Sequence, residues 1–318
     1  MGSVKDLVLK QEVKKKQTGL GVFSFTDDYS VFDFGKMPDT IPGKGEALCR
    51  MACYNFIELE KIGVKTHFSR MLSGNEMEVK LVRVLFPQKK EIKQGEKNFL
   101  VPLEVIYRNS LPAGSSVFKR MQNGELTFTE LGLKKMPLPG EKLEKAIIDF
   151  STKLEETDTY LTEQQAIELA KISRKRLEQI KATALKINSF LNEKAESIGL
   201  EHADGKVEFA IFPSGELVLI DVCGTLDEDR FLLDGVHLSK QVLRDYYNTL
   251  PWKQELEKAK AAGIEKKHWP KPERLPKELV AITSNIYKSV CENWTGKKIW
   301  HAPKIWEVVQ EYKEFLGK

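Results

Sequence analysis

A chain of 318 residues, 41% hydrophobic and 30% charged, can bury one large or two modest cores and has the balance of a soluble globular protein. Its net charge of +4 is small, and the densest basic run, Lys14-Lys15-Lys16, has no aromatic platform near it. No nucleic-acid partner is expected, because that demands a concentrated basic face; a local basic pocket for a small phosphorylated ligand stays open. No apolar leader opens the chain and no run approaches the ~20 apolar residues of a membrane span. No membrane partner is expected, and the sequence reads as cytoplasmic. The cysteines and histidines are scattered without CxxC or HxxxH and suggest no zinc; Cys49 and Cys53, four apart, read as packing on one helix face.

In chain order, Val4 to Leu9, Gly19 to Phe25 and Tyr29 to Phe34 read as short strands between turns. Ile41-Pro42-Gly43-Lys44-Gly45 reads as a loop that could present backbone N–H groups. Leu48, Met51, Ala52, Asn55, Leu59 and Ile62 then fall at helical spacing, with Gly63 as the stop. Val64 to Phe68, Glu78 to Phe86 and Leu100 to Tyr107 are predicted strands, and Arg108 to Arg120 a turn-rich basic segment. Residues 121–160, with Pro137, Pro139 and Gly140, are expected to be mostly loop. Thr162 and Gln165 form a capping-box signature for a long amphipathic helix reaching Leu191, interrupted near Lys181. Helices are expected again over Ser239 to Leu250, Leu275 to Glu292 and Ile305 to Phe315. Strands gather in the first half and helices in the second, without βαβα alternation. The predicted class is α+β, with an antiparallel N-terminal lobe (1–107) and a larger α+β lobe (108–318).

Between Asp204 and Phe231 two β-type runs flank Pro213-Ser214-Gly215-Glu216. If those four residues form the loop, Phe212 faces Leu217 and Glu208 lies directly opposite Asp221. Asp204, Lys206 and Glu208 then share a face with Asp221 and Cys223, while Val222 falls on the other face against Val207. Two carboxylates across a ladder repel unless a cation sits between them. Either this is a solvated hairpin face, or a hard ion such as Mg²⁺ resolves the repulsion with the help of substrate phosphates.

Further segments point one way. GSVKDL (2–7), DYSVFD (28–33), IPGKGE (41–46), GVKTHF (63–68), RN…AGSSVFKR (108–120), STKLEETD (151–158), DGKVEF…D…DEDRF, LSKQVLRDYY (238–247), LPKEL (275–279) and TGKKIW (295–300) occur in this order. No single segment is specific, but the ordered set resembles the SAICAR synthetases (phosphoribosylaminoimidazole-succinocarboxamide synthases) of purine biosynthesis, in the longer form with a C-terminal helical extension. The resemblance implies an ATP-dependent ligase that joins L-aspartate to the carboxylate of carboxyaminoimidazole ribonucleotide (CAIR), releasing ADP and phosphate. A carboxylate is a poor acyl donor because its leaving group would be oxide. Phosphorylation by ATP makes an acyl phosphate that an amine can attack.

The resemblance also carries residues across. Gly2 and Lys5 match a short strand that meets the ATP phosphates. Glu208 and Asp221 match Mg²⁺-binding carboxylates, and Lys206 a lysine at the active centre, so Lys206, Glu208 and Asp221 are the expected catalytic set. Asp204 also matches a family position. Arg108 and Arg230 match arginines that bind the ribonucleotide 5′-phosphate, joined by either Ser115 or Ser116; the alternative for Arg230 is pairing with Asp227, Glu228 and Asp229. Lys44, Ser30 and Asp33 are expected to border the substrate cleft. One departure stands out: the family usually reads Asp-Glu where this chain reads Asp221-Val222. A related ATP-dependent ligase or phosphotransferase on another substrate, or a non-catalytic ATP-binding homologue, is the alternative. A monomer is favoured over a homodimer, on the view that the extension covers a surface used for self-association.

Overall fold

The computed structural model describes residues 4–112, 114–155 and 159–317; Gly2 lies outside them. The N-terminal sheet is built from β1 (Lys5–Gln11), β2 (Gly19–Phe25), β3 (Phe68–Ser73) and β4 (Glu76–Leu81), in the order β1-β2-β4-β3 and antiparallel throughout. Between β2 and β3 runs α1 (Lys44–Lys61), which starts at the left-handed Gly43 and gives way at Gly63. Its buried Ala47, Leu48, Met51, Ala52, Phe56 and Leu59 make the helical stripe read from the sequence.

The larger sheet begins with β5 (Phe99–Ser110) and, after α2 (Ser116–Gln122), continues through β6 (Lys142–Thr152) and β7 (Tyr160–Leu161). α3 (Glu163–Ala170) and α4 (Arg174–Ser197) lead to β8 (Glu201–Ile211), β9 (Leu217–Ile220), β10 (Asp229–Leu233) and β11 (Val236–His237). The strand order is β11-β10-β8-β5-β6-β7, with β9 also on β8, and every pairing is antiparallel. The chain closes with α5 (Gln241–Asn248), α6 (Pro251–Ala261), α7 (Lys277–Thr295) and α8 (Ile305–Phe315). The α+β class is as expected. The expected lobe division at 107/108 falls inside β5, which belongs wholly to the larger sheet.

That sheet is two-faced. Leu103, Val105, Tyr107, Phe150, Val207 and Phe209 enter one continuous core with Leu177, Ile180, Ala184, Ile187 and Leu191 of α4. Alternation therefore turns Glu104, Arg108, Asp149, Ser151, Asp204, Lys206 and Glu208 to the opposite face. This explains why β6 escapes a reading by periodicity: the expected loop 121–160 contains an eleven-residue strand whose second face carries Asp149 and Ser151, both buried. A strand with polar residues at its buried positions shows no hydrophobic alternation.

Other local expectations were altered by packing. The Thr162/Gln165 capping box forms, but the helix breaks at Lys171, in the left-handed region, and restarts on the Ser173 cap, well before Lys181. Tyr29 to Phe34 is a turn and not a strand: Phe32 and Asp33 have φ of 54° and 56°, and Phe32 and Phe34 pack on Trp252 of α6. The Gly43 and Gly45 N–H groups donate to the Asp27 carboxylate at 3.0 and 2.9 Å, so the IPGKG turn is closed on the protein itself.

Candidate active site

The hairpin of β8 and β9 differs from the expected register by one residue. Phe212 N–H donates to Glu216 at 3.0 Å and Gly215 N–H donates back to Phe212 at 2.8 Å. The loop is thus Pro213-Ser214-Gly215, with Gly215 at φ 90° supplying the left-handed position of a three-residue turn. Ile211 pairs with Leu217, and Glu208 lies opposite Ile220 rather than Asp221. One residue of slip turns every β9 side chain over. Leu217 and Leu219 enter the main core, while Val218 and Ile220 join Leu100 and Ala210 in a small second apolar cluster on the Glu208 face.

The carboxylates nevertheless meet. Asp221 leaves the strand with φ 64°, and its carboxylate takes an ion pair from Lys5, reaching across from β1. His67, buried and with its pKa pushed down by burial to about 4, is neutral near pH 7, and its Nε2–H donates to the Asp221 carbonyl at 3.1 Å. Burial first, then the charge of Asp221, pushes the Glu208 carboxyl up to about 7. Burial also works to raise Asp221, but the Lys5 ammonium overrides it and holds that carboxyl below its ordinary range. Val222 is buried in the main core, so it faces away from the pair, though not through the pairing with Val207 expected from the sequence.

From this pair an alternating chain of charge crosses the sheet. Lys153 Nζ donates to Glu208 at 2.6 Å and to Glu104 at 3.2 Å. Lys206 Nζ donates to Glu104 at 2.7 Å and stands 3.6 Å from Glu228. Burial alone would push both ammonium groups down, but the carboxylates around them win, and both pKa values are raised. The same lysines hold Glu104 below its ordinary range against burial. Lys206 sits where expected; Lys153 and Glu104 were missed. Lys153 lies inside the STKLEETD segment, two residues beyond Ser151, and reading that segment as a strand would have placed both beside Glu104.

Farther along the face, Arg108, Asp204 and Arg230 form one rung of three adjacent strands. Arg230 Nε donates to Asp204 Oδ1 at 2.7 Å and its Nη2 pairs with Oδ2; Arg108 Nη1 is 3.6 Å from the same oxygen. Asp204, and not the acidic run 227–229, is therefore the partner of Arg230. Arg108 Nη2 also bonds Asp149 at 3.2 Å and Ser116 Oγ at 3.4 Å, and Ser116 lies 2.5 Å from the Tyr160 hydroxyl. Ser115 caps α2, its Oγ accepting from Val117 N–H. The serine beside Arg108 is Ser116.

Three expected cleft residues are placed differently from one another. Lys44 is fully buried and donates to Asp227 at 2.7 Å, which removes it from any cleft surface. Asp33 is 94% exposed, 3.9 Å from Lys260. Ser30 is half-buried beside it in the same turn. On α5, Lys240 and Arg244 are one helical turn apart and have no ion pair among the described residues; burial pushes the pKa of each down. The charges acting on Lys240 include Lys206 and Glu228, and those on Arg244 include Arg230 and Asp33. The i, i+4 spacing of these two cations in LSKQVLRDYY was the signal available for them.

Two cavities, of about 190 and 450 Å³, lie elsewhere, beside the hairpin tip and between α1 and β3. No group of three or more His, Cys, Asp or Glu side chains suited to a metal occurs among the described residues. Glu208 and Asp221 by themselves fit an ion that completes its shell elsewhere: burial first, and then the charge of Asp221, raises the Glu208 carboxyl, and Mg²⁺ takes one or two carboxylates plus phosphate oxygens.

A carboxylate pair, two lysines and an arginine pair along one sheet face have the make-up of a site for phosphorylated small molecules. The family model described as SAICAR synthetase matches residues 9–259, and the chain belongs to the SAICAR synthetase family. A provisionally named phosphoribosylaminoimidazole-succinocarboxamide synthase of Archaeoglobus fulgidus is 41% identical over 332 positions, spanning 99% of this chain and 100% of that protein. The phosphoribosylaminoimidazole-succinocarboxamide synthase of Thermoplasma acidophilum is 34% identical over 286 positions, 87% of this chain and 93% of the other. Among solved structures, a Saccharomyces cerevisiae SAICAR synthase complexed with SAICAR superposes with a TM-score of 0.68 at 23% identity, covering 95% of each chain. A SAICAR synthetase in complex with ADP gives 0.64 at 22% identity, covering 94% of this chain and 98% of that one. These share the fold.

Proposed function

We propose that this chain is an ATP-dependent ligase that joins the amino group of L-aspartate to the carboxylate of CAIR, giving SAICAR, ADP and phosphate. One observation carries the reading. The arginine rung and the carboxylate pair stand on one sheet face, four residues apart along β8, about 13 Å at a strand's rise. That span is comparable to a mononucleotide; Lys206 lies between its ends, and Lys153 reaches the carboxylate end through Glu208 and Glu104.

In this reading Arg108, Arg230 and Ser116 hold the ribonucleotide 5′-phosphate, a task suited to forked guanidinium donors. The small apolar cluster of Leu100, Ala210, Val218 and Ile220 receives the adenine, and Lys5 turns from Asp221 toward the nucleotide phosphates. Glu208 and Asp221 would hold Mg²⁺, which supplies charge neutralisation for the phosphates. A CAIR carboxylate oxygen attacks the γ-phosphorus; the bond to ADP breaks, leaving an acyl phosphate. The aspartate amine then attacks the acyl carbon, phosphate departs, and the amine loses a proton. Lys206 and Lys153 stay protonated throughout and neutralise the anions being brought together, which is most of what phosphoryl transfer asks of a protein. Lys240 and Arg244 hold the carboxylates of aspartate beside Lys206, and Ser30 and Asp33 border that side of the groove. The enzyme works in the cytoplasm as a monomer, a state that light scattering reads directly; no helix of the described residues is long and apolar enough to cross a membrane.

ADP release should require ATP, CAIR and aspartate together; release that ignores aspartate or CAIR would overturn the reading. Arg108→Lys should raise KM for CAIR about 10- to 100-fold, because a point charge replaces a fork at a buried site, with KM for ATP unchanged. An equal rise in both constants would remove the phosphate assignment.

A further inference from the structure

We infer that α7, a helix outside the stretch matched by the family model, is a positioning element of the active site: Tyr287 and Trp294 set the shape of the loop that carries Asp221 and Glu228. The inference rests on the reading above for what the loop does, and on the coordinates for how it is held.

Residues 221–228 leave the sheet at the end of β9 and return as β10, with left-handed conformations at Asp221 and Gly224, both at φ 64°. Such a path persists only where its surroundings over-determine it. At its first half, Asn55 of α1 donates from Nδ2 to the Cys223 and Gly224 carbonyls, at 2.9 and 3.0 Å. An amide can present oxygen or nitrogen to either side, and its neighbours decide which. Here Trp294 decides: its Nε1–H, which can only donate, meets Asn55 Oδ1 at 2.7 Å and so turns the NH₂ toward the loop. There is no slack, since a Cβ on Gly224 would lie 2.3 Å from Leu191 and 2.5 Å from Asn55 Nδ2.

At the second half the anchor is Asp227, whose two oxygens accept from the Tyr287 hydroxyl at 2.6 Å and from Lys44 at 2.7 Å. Tyr287 and Lys44 are fully buried. Asp227 adjoins Glu228, the partner of Lys206. A third tie, Ser284 Oγ donating to the Pro42 carbonyl at 2.6 Å, holds α7 against the turn that opens α1. The helix thus grips the loop at two points: one near the nucleotide end, the other near the lysine between the substrates.

The two grips predict different losses. Tyr287→Phe keeps the ring and removes only the hydroxyl on Asp227. It should lower kcat about tenfold with the Kd of ADP·Mg²⁺ within twofold, because Asp221 is held separately by Lys5 and His67. Trp294→Phe frees Asn55 and should weaken ADP·Mg²⁺ severalfold in calorimetry, a measurement that needs neither CAIR nor aspartate. Thermal melts accompany both, and Asp227→Asn/Tyr287→Phe should cost no more in kcat than Asp227→Asn alone. Wild-type values in both folded variants would overturn the inference, as would losses that only follow the unfolded fraction or that are additive in the double variant. Should the wild type bind ADP yet fail to turn over CAIR and aspartate, the proposed activity falls, while the Trp294→Phe titration still decides the role of α7.

Discussion

Lys206→Ala is expected to lower kcat by about two to three orders of magnitude, the scale seen when one preorganised electrostatic partner is lost. The ammonium lies between Glu104 and Glu228, on the line joining the arginine rung to the carboxylate pair. Its raised pKa keeps it charged through the working range, so it serves as a fixed cation and not as a proton carrier. The fold should survive the change, because Lys153 still neutralises Glu104. Steady-state kinetics with circular dichroism on the same sample provide the check. A variant that is folded and retains more than a tenth of wild-type kcat would remove Lys206 from the centre, leaving Lys153 as the cation that matters.

Glu208→Gln should have two opposite consequences. Loss of the carboxylate weakens ADP·Mg²⁺ binding, by about 100-fold if one of two metal carboxylates is removed. The unliganded variant should nonetheless be the more stable protein in mild alkali. Glu208 has its carboxyl raised from 4.5 to about 7, so the folded state holds a proton that the unfolded chain releases. That stabilising contribution is complete below about 4.5 and is lost as pH climbs through 7. At pH 8 the ionised group weighs against folding by on the order of 3 kcal/mol. Glutamine carries no such charge, so the variant should melt several degrees above the parent at pH 8 and close to it at pH 5. The loss of the Lys153 contact works in the other direction and sets an upper bound on the gain. Melting temperatures that do not diverge with pH would mean that burial and the charge of Asp221 do not raise Glu208.

Strand alternation put Asp204, Lys206 and Glu208 on one face, and the family resemblance added Arg108 and Arg230; the sheet carries all five on that face, with Asp204 between the two arginines. The errors have a common cause. The resemblance sets Lys44 at the border of the cleft, yet a buried aspartate at residue 227 claims it from 183 positions away in the chain. Lys153, Glu104, Tyr287 and Trp294 were passed over because each acts through a partner distant in sequence, and no local pattern encodes a pair of that kind. Ser115 and Ser116 could not be told apart until α2 formed and took one of them as its cap.

Alternation, helical spacing and capping residues depend on neighbours a few positions away. They determined by themselves the α+β class, the limits of β2 and α8, the stripe of α1 and the capping box of α3. Register and loop shape depend on what the core will accept, and there tertiary structure decided. A three-residue turn in place of four put Leu217 and Leu219 into the core, where the expected register would have turned both away. The cost was the direct pairing of Glu208 with Asp221. The left-handed step at Asp221, held by His67 and Lys5, brings that carboxylate back to where its charge acts on Glu208. Burying leucine is a demand of the whole core, and it set the backbone to which the charged residues had to conform.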